Sequence, residues 1–295
     1  MSIQVGFTQT TAEKLGYDKD AILLILHADD LGVANSVNAA TIAALEEGTI
    51  NSASIMVPCP WFPQAAAYAK ENPEMDLGLH LTLTAEWDEY KWDGVSSASE
   101  ISSLLNEEAH FPPSVAEVVQ SATVKELEKE LIAQVERALA FGIKPTHLDS
   151  HMGTLFQTPA FFEAYQRVGK RYKIPVFIPY GHISAAPQLV NSIMKDQILV
   201  DRLFSISPAI GERDWNEYYM DILRNMKPGL NEIIVHFAYD NAEMQAVAVN
   251  HPDFGSAWRQ RDLEALQNQA FKDLIKERNI HLVSWRDIQE AQYGE

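Results

Sequence analysis

The 295-residue chain has one cysteine, few basic residues and no long apolar run, and each shortage argues against a class of protein. The single cysteine, Cys59, rules out an intramolecular disulfide and a zinc site built from cysteines. With 23 basic and 41 acidic residues, the net charge of −18 argues against nucleic acid or an anionic membrane as a partner, because both attract clusters of Lys and Arg. No apolar run approaches the ~18 residues of a membrane span, and residues 1–20 lack a secretory signal pattern. We therefore expect a soluble, cytoplasmic protein.

Short β-branched runs alternate with longer helical patterns, which predicts repeated βα units and a parallel sheet. The length suits one α/β barrel. We expect a single domain over residues 1–295, folded as a distorted TIM-like (β/α) barrel of mostly parallel strands. A Ser-, Glu-, Trp- and Pro-rich stretch at about 84–122 is predicted to be a long functional loop inserted into that barrel. The predicted strands span 21–28, 52–58, 76–83, 145–151, 174–180, 202–207, 231–238 and 280–285.

Four of these predicted strands end in residues of the types that bind metals. Asp29 and Asp30 close the first strand, His80 lies on the third, residues 146–151 ("THLDSH") close the fourth, and His236 lies on the seventh. Each residue alone has a structural explanation, because a strand-end histidine is usually packed and aspartate often caps a helix. Charged groups at four aliphatic strand ends are costly without a function, and the carboxyl ends of parallel strands meet at one edge. The sequence therefore predicts a functional site there.

Strand geometry selects among these residues. Adjacent residues on a strand face opposite sides, so Asp29 and Asp30 both reach the site only if the strand ends there. One carboxylate could then bind a metal while the other lies beside the bound water. His147, Asp149 and His151 share one face but are spaced by about 6.6 Å, too far apart for a single ion. We expect His151, nearest the carboxyl end, to be the ligand, with His147 and Asp149 beneath it orienting the ligands.

One carboxylate and two imidazoles suit a single divalent metal ion with open coordination positions. Zinc is favoured, with magnesium or another divalent first-row metal as alternatives. Such an ion lowers the pKa of its bound water and polarises a carbonyl group. A free carboxylate can then take the proton, and an imidazole can return it to the leaving group. The residues therefore predict a metal-dependent hydrolase.

Three segments, in this order, resemble the signature segments of the YdjC-type carbohydrate deacetylases, the family that includes chitooligosaccharide deacetylase. They are "HADDLG" (27–32), "GLHLTL" (78–83) and "KPTHLDSH" (144–151). The similarity extends from about residue 22 to 288. It implies a catalytic barrel of the glycoside hydrolase/deacetylase type and metal-dependent removal of acetyl groups from N-acetylated sugars. The expected partner is therefore a small acetylated sugar.

The resemblance also implies roles for five residues: general base for Asp29, metal-binding carboxylate for Asp30, metal ligands for His80 and His151, and general acid for His236. This chain departs from the family pattern twice. After "DSH" it continues "MGTLF", where relatives have further histidines, and Phe237 stands where they have proline. These differences lie on the substrate side, so the exact sugar is left open.

Other residues are candidates for substrate contact. The arginines Arg259 and Arg261 could pair with Asp29 or bind substrate, or they could be ordinary solvated charges on a helix. Aromatic residues beyond the second and third strands fit either a sugar-stacking surface or a packed core. These aromatic candidates are Trp61, Phe62, Trp87, Tyr90 and Trp92. His27, His110, His182, His251 and His281 are expected to be structural.

Two other functions remain open. A metal-dependent phosphoesterase could use the same residues, although the sequence has neither an evident second metal cluster nor a glycine-rich phosphate loop. A non-catalytic sugar-binding or metal-binding protein could keep the fold and lose the reaction. Such a binding protein would need neither Asp29 as a base nor His236 as an acid. The sequence also leaves open the metal and the oligomeric state, a homo-oligomer included.

Overall fold

The computed structural model describes residues 9–211 and 213–294. In this part of the chain, parallel strands form one curled sheet with α-helices packed on it, which is consistent with a distorted barrel. The strands are β1 (Ile22–Leu31), β2 (Ser52–Ile55), β3 (Leu77–Leu81), β4 (Leu148–Ser150), β5 (Arg202–Ser205), β6 (Gly229–His236) and β7 (Ile280–Leu282).

Most helices occupy the connections between strands, and several begin at a capping side chain. The Thr123 hydroxyl, for example, accepts the Glu126 N–H at the start of the longest helix. None of the helices described is both long and apolar enough to cross a membrane. The helices are α1 (Thr11–Lys14), α2 (Asn35–Glu46), α3 (Phe62–Glu71), α4 (Val115–Ser121), α5 (Val124–Ala140), α6 (Pro159–Tyr172), α7 (Tyr180–Ile183), α8 (Pro187–Val190), α9 (Trp215–Asn225), α10 (Ala242–Val247), α11 (Ser256–Gln267), α12 (Gln269–Glu277) and α13 (Trp285–Tyr293).

The sheet has the strand order β4-β3-β2-β1-β6-β5, with β7 also paired to β1. One edge of β1 pairs with β6 from Ile22 to Asp29. The other edge is shared, because Ile22–Leu24 pair with β7 and His27–Leu31 pair with β2. The last strand therefore lies on the β2 side of β1, and not between β1 and β6 as in a regular eightfold barrel.

The prediction of a strand at 174–180 was wrong. This segment forms only isolated bridges, one joining Val176 to β4 and one joining Pro179 to Val200. Pro175 and Pro179 lack the N–H that a continuous ladder needs. The two bridges still connect β4 to the residues just before β5, so they link the two ends of the curled sheet. The other predicted strands form, with shifted ends.

Side-chain alternation separates the inside of the curled sheet from the face that carries the helices. On β1, the side chains of Leu24, Leu26 and Ala28 belong to the large core with the helices, whereas Leu23 and Ile25 belong to a smaller cluster on the opposite face. The same period of two places His27 and Asp29 on that inner face. The inner face at the carboxyl end of the strands is where the polar residues gather.

The segment predicted as a loop at 84–122 is fixed to the rest of the fold. The Glu130 carboxylate on α5 accepts the backbone N–H groups of Val95 and Ser96 at 2.8 and 2.9 Å. The segment contains two short 3₁₀ turns and the helix α4. It brings Glu86 to the carboxyl edge of the sheet, where Glu86 lines the same cavity as the strand-end residues.

Candidate active site

Asp29 and Asp30 both reach the site because β1 is irregular at its end. The strand continues through Leu31, but its register with β2 shifts between Ala28 and Leu31, and Asp30 has a φ of 71°. A left-handed φ is rare for a residue other than glycine and marks a strained position. The prediction that both carboxylates would reach one cavity was correct, but the strand bulges and does not stop before them.

Asp30, His80 and His151 converge on one point. Oδ1 of Asp30 lies 3.4 Å from Nε2 of His80 and 3.5 Å from Nδ1 of His151, and these two nitrogens are 3.2 Å apart. All three residues are buried, and Asp30 Oδ1 has no hydrogen-bond partner among the described residues. A buried carboxylate oxygen without a partner is costly. These three atoms could hold one metal ion, and one oxygen with two imidazole nitrogens suits zinc and similar cations.

The other nitrogen of each imidazole is held by a carboxylate. Asp149 Oδ1 accepts a hydrogen bond from Nδ1 of His80 at 2.6 Å, and Glu86 Oε2 accepts one from Nε2 of His151 at 3.0 Å. Such contacts fix the orientation of a metal-binding ring. Burial alone would lower the pKa of His151, but Glu86 and Asp30 outweigh it and raise this pKa to about 10.

Arg259 holds the second oxygen of Asp30, and not Asp29 as one of the predictions had it. Its Nη2 donates to Asp30 Oδ2 at 2.7 Å, and its guanidinium carbon lies 5.4 Å from the centre of the Trp87 ring. Burial favours a protonated Asp30, but Arg259 and the nearby imidazoles hold the Asp30 pKa well below its usual range. Arg261 lies over the Trp215 ring at 5.8 Å, outside this cavity, because helical residues two positions apart differ by about 200° in direction.

Asp29 has one oxygen fixed and one oxygen available. Its Oδ1 lies 3.1 Å from Nε2 of His27 and accepts the Ser54 hydroxyl at 3.4 Å, whereas its Oδ2 lies 3.8 Å from Nε2 of His236. The His27 nitrogen is also 3.1 Å from Asp149 Oδ2. His27, which we expected to be only structural, therefore joins the carboxylate of the predicted base to the carboxylate that orients His80.

His236 is positioned by its backbone and by an aromatic neighbour. Its N–H donates to Asp262 Oδ2 at 3.0 Å, and its ring lies 5.1 Å from the ring of Phe254 in an edge-on arrangement. Burial lowers the pKa of His236 and raises the pKa of Asp262 to about 7. The imidazole therefore gives up a proton more readily than a solvent-exposed histidine would.

His147 lies deeper than the other predicted site residues. Its ring stacks on Trp285 with the ring centres 4.9 Å apart, and its Nε2 is 3.7 Å from Asp149 Oδ2. Burial lowers the pKa of His147. His147 thus reaches the ligands only through Asp149, whereas Asp149 contacts His80 directly.

A cavity of about 750 Å³ opens at the carboxyl edge of the strands, and its lining includes Asp29, His236 and the three converging residues. Of the predicted aromatic residues, only Trp87 lines this cavity. Trp92 is buried behind it with the two ring centres 5.9 Å apart, and Trp61 lies elsewhere with 37% of its surface exposed. The structure does not bring Trp61, Trp92 or Arg261 to the cavity.

Ser54, Glu86 and Asp262 were not among the site residues predicted from the sequence. Ser54 had a signal, because Ser52 and Ser54 alternate with apolar residues in β2 and so share the inner face. No sequence pattern marks Glu86, because it is one of 41 acidic residues and lies in an irregular segment.

Comparison with known proteins finds relatives along most of the chain. The sequence model described as YdjC-like protein matches residues 23–277. A carbohydrate deacetylase from Brevibacillus brevis is 34% identical over 272 residues, which cover 90% of this chain and 99% of that protein. A carbohydrate deacetylase from Thermus thermophilus is 29% identical over 288 residues, covering 95% and 98% of the two chains.

A solved structure from Enterococcus faecalis, named for cellobiose-phosphate cleavage, has the same fold. It superimposes with a TM-score of 0.78 at 22% identity and covers 91% of this chain and 99% of its own. At that identity the likeness concerns the fold alone. The family match spans most of the sequence and includes every residue of the converging cluster. The chain belongs to the YdjC-like protein family.

Proposed function

We propose that the protein is a metal-dependent carbohydrate deacetylase that hydrolyses the N-acetyl group of an amino sugar or oligosaccharide, with one catalytic domain over the whole chain. The observation that supports it is the convergence of Asp30, His80 and His151 beside the available oxygen of Asp29. The relatives named carbohydrate deacetylase supply the substrate class.

Asp30, His80 and His151 would hold the divalent cation, for which zinc is favoured. When bound, the cation would polarise the amide carbonyl and lower the pKa of the attacking water. Asp149 and Glu86 would each accept the N–H on the ring nitrogen that faces away from the cation, which leaves the other nitrogen for ligation and fixes the direction of the ring.

The hydrolysis adds one water molecule across the amide bond. The C–N bond breaks, the acyl carbon gains the water oxygen, and the nitrogen gains a proton. Asp29 Oδ2 is the oxygen available to take the proton from water, because Oδ1 is held by His27 and Ser54. Nε2 of His236 lies 3.8 Å from that oxygen, and His236 would give a proton to the leaving nitrogen. A protein that only binds sugar would need neither group.

The test is acetate release from N-acetylated mono- and disaccharides, measured with the metal-loaded protein and after chelation. We expect Asp29→Asn to keep its metal and lose about 10²- to 10⁴-fold in kcat, the usual contribution of a general base. His80→Ala should lose both metal and activity. Asp273→Asn, an exposed aspartate on α12, is the matched control and should behave as the parent protein does.

Full turnover by Asp29→Asn would contradict the proposal. Hydrolysis of phosphate esters in place of acetylated sugars would favour the phosphoesterase. Sugar affinity with no product after long incubation would favour the binding protein.

A further inference from the structure

Where the inner face of the curled sheet lines the cavity, it is polar on one side and mostly apolar on the other. The strands β1 to β4 contribute polar side chains, which include His27, Asp29, Ser54, His80 and Asp149. The opposite side is built from the segment before β5 and from β5 and β6. Below His236 and Ser205, its cavity-lining side chains are the apolar Phe177, Leu203 and Ile234, and Glu232 of β6 is buried outside the cavity lining.

This apolar surface begins directly beneath the predicted general acid. Ile234 and His236 are two residues apart on one face of β6, so Ile234 lies roughly 6.6 Å deeper. Leu203 lies on the neighbouring strand, two residues before Ser205, which pairs in register with Ile234. We refer to Phe156, Phe177, Leu203 and Ile234 as the apolar floor.

The apolar floor rests on the buried core but is open to the cavity. Phe156, Leu203 and Ile234 are only partly buried, and all three pack against the inner cluster that contains Phe177. All four residues line the cavity. The buried side chains of Ile183 on α7 and Leu189 on α8 extend the same apolar lining. The hydrocarbon surface is therefore continuous with the catalytic centre.

This surface is unsuited to the hydroxyl groups of a sugar. A hydroxyl moved from water onto the apolar floor would lose its hydrogen bonds without replacement. A hydrocarbon group placed there would remove apolar surface from water on both sides of the contact, which is favourable. An acetyl group supplies only one methyl, whereas the cavity has a volume of about 750 Å³.

We infer that the site accepts N-acyl groups longer than acetyl, with the acyl chain lying on the apolar floor. This inference rests on the proposed function, because it places the amide carbonyl between Asp29 and His236. From that position the floor lies deeper in the cavity, and an acyl chain has a free end that can be buried there. The sugar must instead face the cavity mouth, because an oligosaccharide continues beyond the reacting sugar unit. The reaction is the same hydrolysis, and its products are the longer carboxylic acid and the free amino sugar.

The experiment is a chain-length series on one sugar: glucosamine carrying N-acetyl, N-butanoyl, N-hexanoyl or N-decanoyl groups. Release of glucosamine, the common product, gives kcat/KM for each member with the metal-loaded protein. We expect kcat/KM to rise about 15-fold from N-acetyl to N-butanoyl, since these differ by two methylenes and burying each one favours binding by roughly fourfold. The ratio of the N-hexanoyl to the N-acetyl value should fall several-fold in Leu203→Asn and in Ile234→Asn.

Leu139→Asn is the matched control. Leu139 is an exposed leucine on α5 and is not part of the cavity lining, so the same substitution there should leave the ratio unchanged. The chain-length series measured on the parent protein tests the inference even if Leu203→Asn or Ile234→Asn does not fold.

The inference is overturned, and the deacetylase proposal kept, if kcat/KM falls steadily from N-acetyl to N-decanoyl. It is also overturned if kcat/KM rises for alkyl glycosides of N-acetylglucosamine but not for glucosamine with longer N-acyl groups, because the apolar floor would then bind the alkyl aglycone. Release of no glucosamine from any member, N-acetyl included, would reject the proposed function itself.

Discussion

Arg259 and Arg261 lie two residues apart on α11 and have different surroundings. The Arg259 guanidinium donates to Asp30 Oδ2 at 2.7 Å and is buried, whereas Arg261 lies over Trp215 at the surface. Without Arg259, the Asp30 carboxylate would lose the contact that fixes its direction and favours its charged form. We expect Arg259→Gln to weaken zinc binding by about 10- to 100-fold, the usual effect of removing a group that orients a ligand.

The measurement is competition for zinc against a chelator of known affinity. Arg261→Gln makes the same change of charge on the same helix without touching Asp30, so its zinc affinity should equal that of the parent protein. Equal affinities for the two variants would show that the ion pair with Asp30 has no role in metal binding.

Glu232 is a buried carboxyl group on the inner face of β6, and its Oε2 has no hydrogen-bond partner within the described chain. Burial raises its pKa from the ordinary 4.5 to about 8. Between those two pH values the unfolded chain has lost this proton while the folded protein keeps it. The unfolded state then binds fewer protons, so the free energy of unfolding falls as the pH rises.

We therefore expect Glu232→Gln, which cannot ionise, to be more stable than the parent protein at pH 8. Its advantage in free energy of unfolding should grow by on the order of 3 kcal/mol between pH 5 and pH 8. Urea unfolding at both pH values would measure this, with a chelator present so that metal binding adds no pH dependence. Glu277→Gln, at an exposed position on α12, is the control. Parallel pH profiles for Glu232→Gln and the parent protein would refute the assignment.

At the level of elements, the sequence predicts a strand well where the side chains on both of its faces are buried. In β1, residues that pack under the helices alternate with residues that face the inner cluster, so both faces are buried and the strand appears in the sequence as a continuous aliphatic run. The run at 174–180 has the same composition, but Pro175 and Pro179 cannot donate to a ladder. The place of β7 beside β1 depends on pairing between distant segments, which local patterns do not contain.

The candidate site, like the fold, was predictable only in part. Parallel strands bring their carboxyl ends together, so the position of Asp30, His80 and His151 at one edge of the sheet follows from the parallel arrangement. The bulge that turns Asp30 inward and the arrival of Glu86 from an irregular segment do not follow. Both depend on tertiary contacts, and the hydrogen bonds from α5 that fix the segment around Glu86 leave no periodic signal in the sequence.

At the scale of the whole molecule, the metal site joins segments that are far apart in the sequence. Asp30 ends β1, His80 lies on β3, His151 follows β4, and Arg259 comes from α11 near the end of the chain. An unfolded chain cannot bring these groups together, so a cation that binds the site binds the folded state preferentially. Its binding free energy then adds to the free energy of unfolding.

We expect chelation to lower the free energy of unfolding and added zinc to restore it, by about 2.7 kcal/mol when free zinc is 100 times its dissociation constant. Urea unfolding at constant pH and ionic strength would measure the increment. The net charge of −18 makes a second explanation available, because any divalent cation could stabilise so acidic a protein by screening. His80→Ala separates the two, since it removes one ligand and leaves the acidic residues unchanged. If zinc stabilised His80→Ala as much as the parent protein, screening would account for the effect and the site would have no part in it.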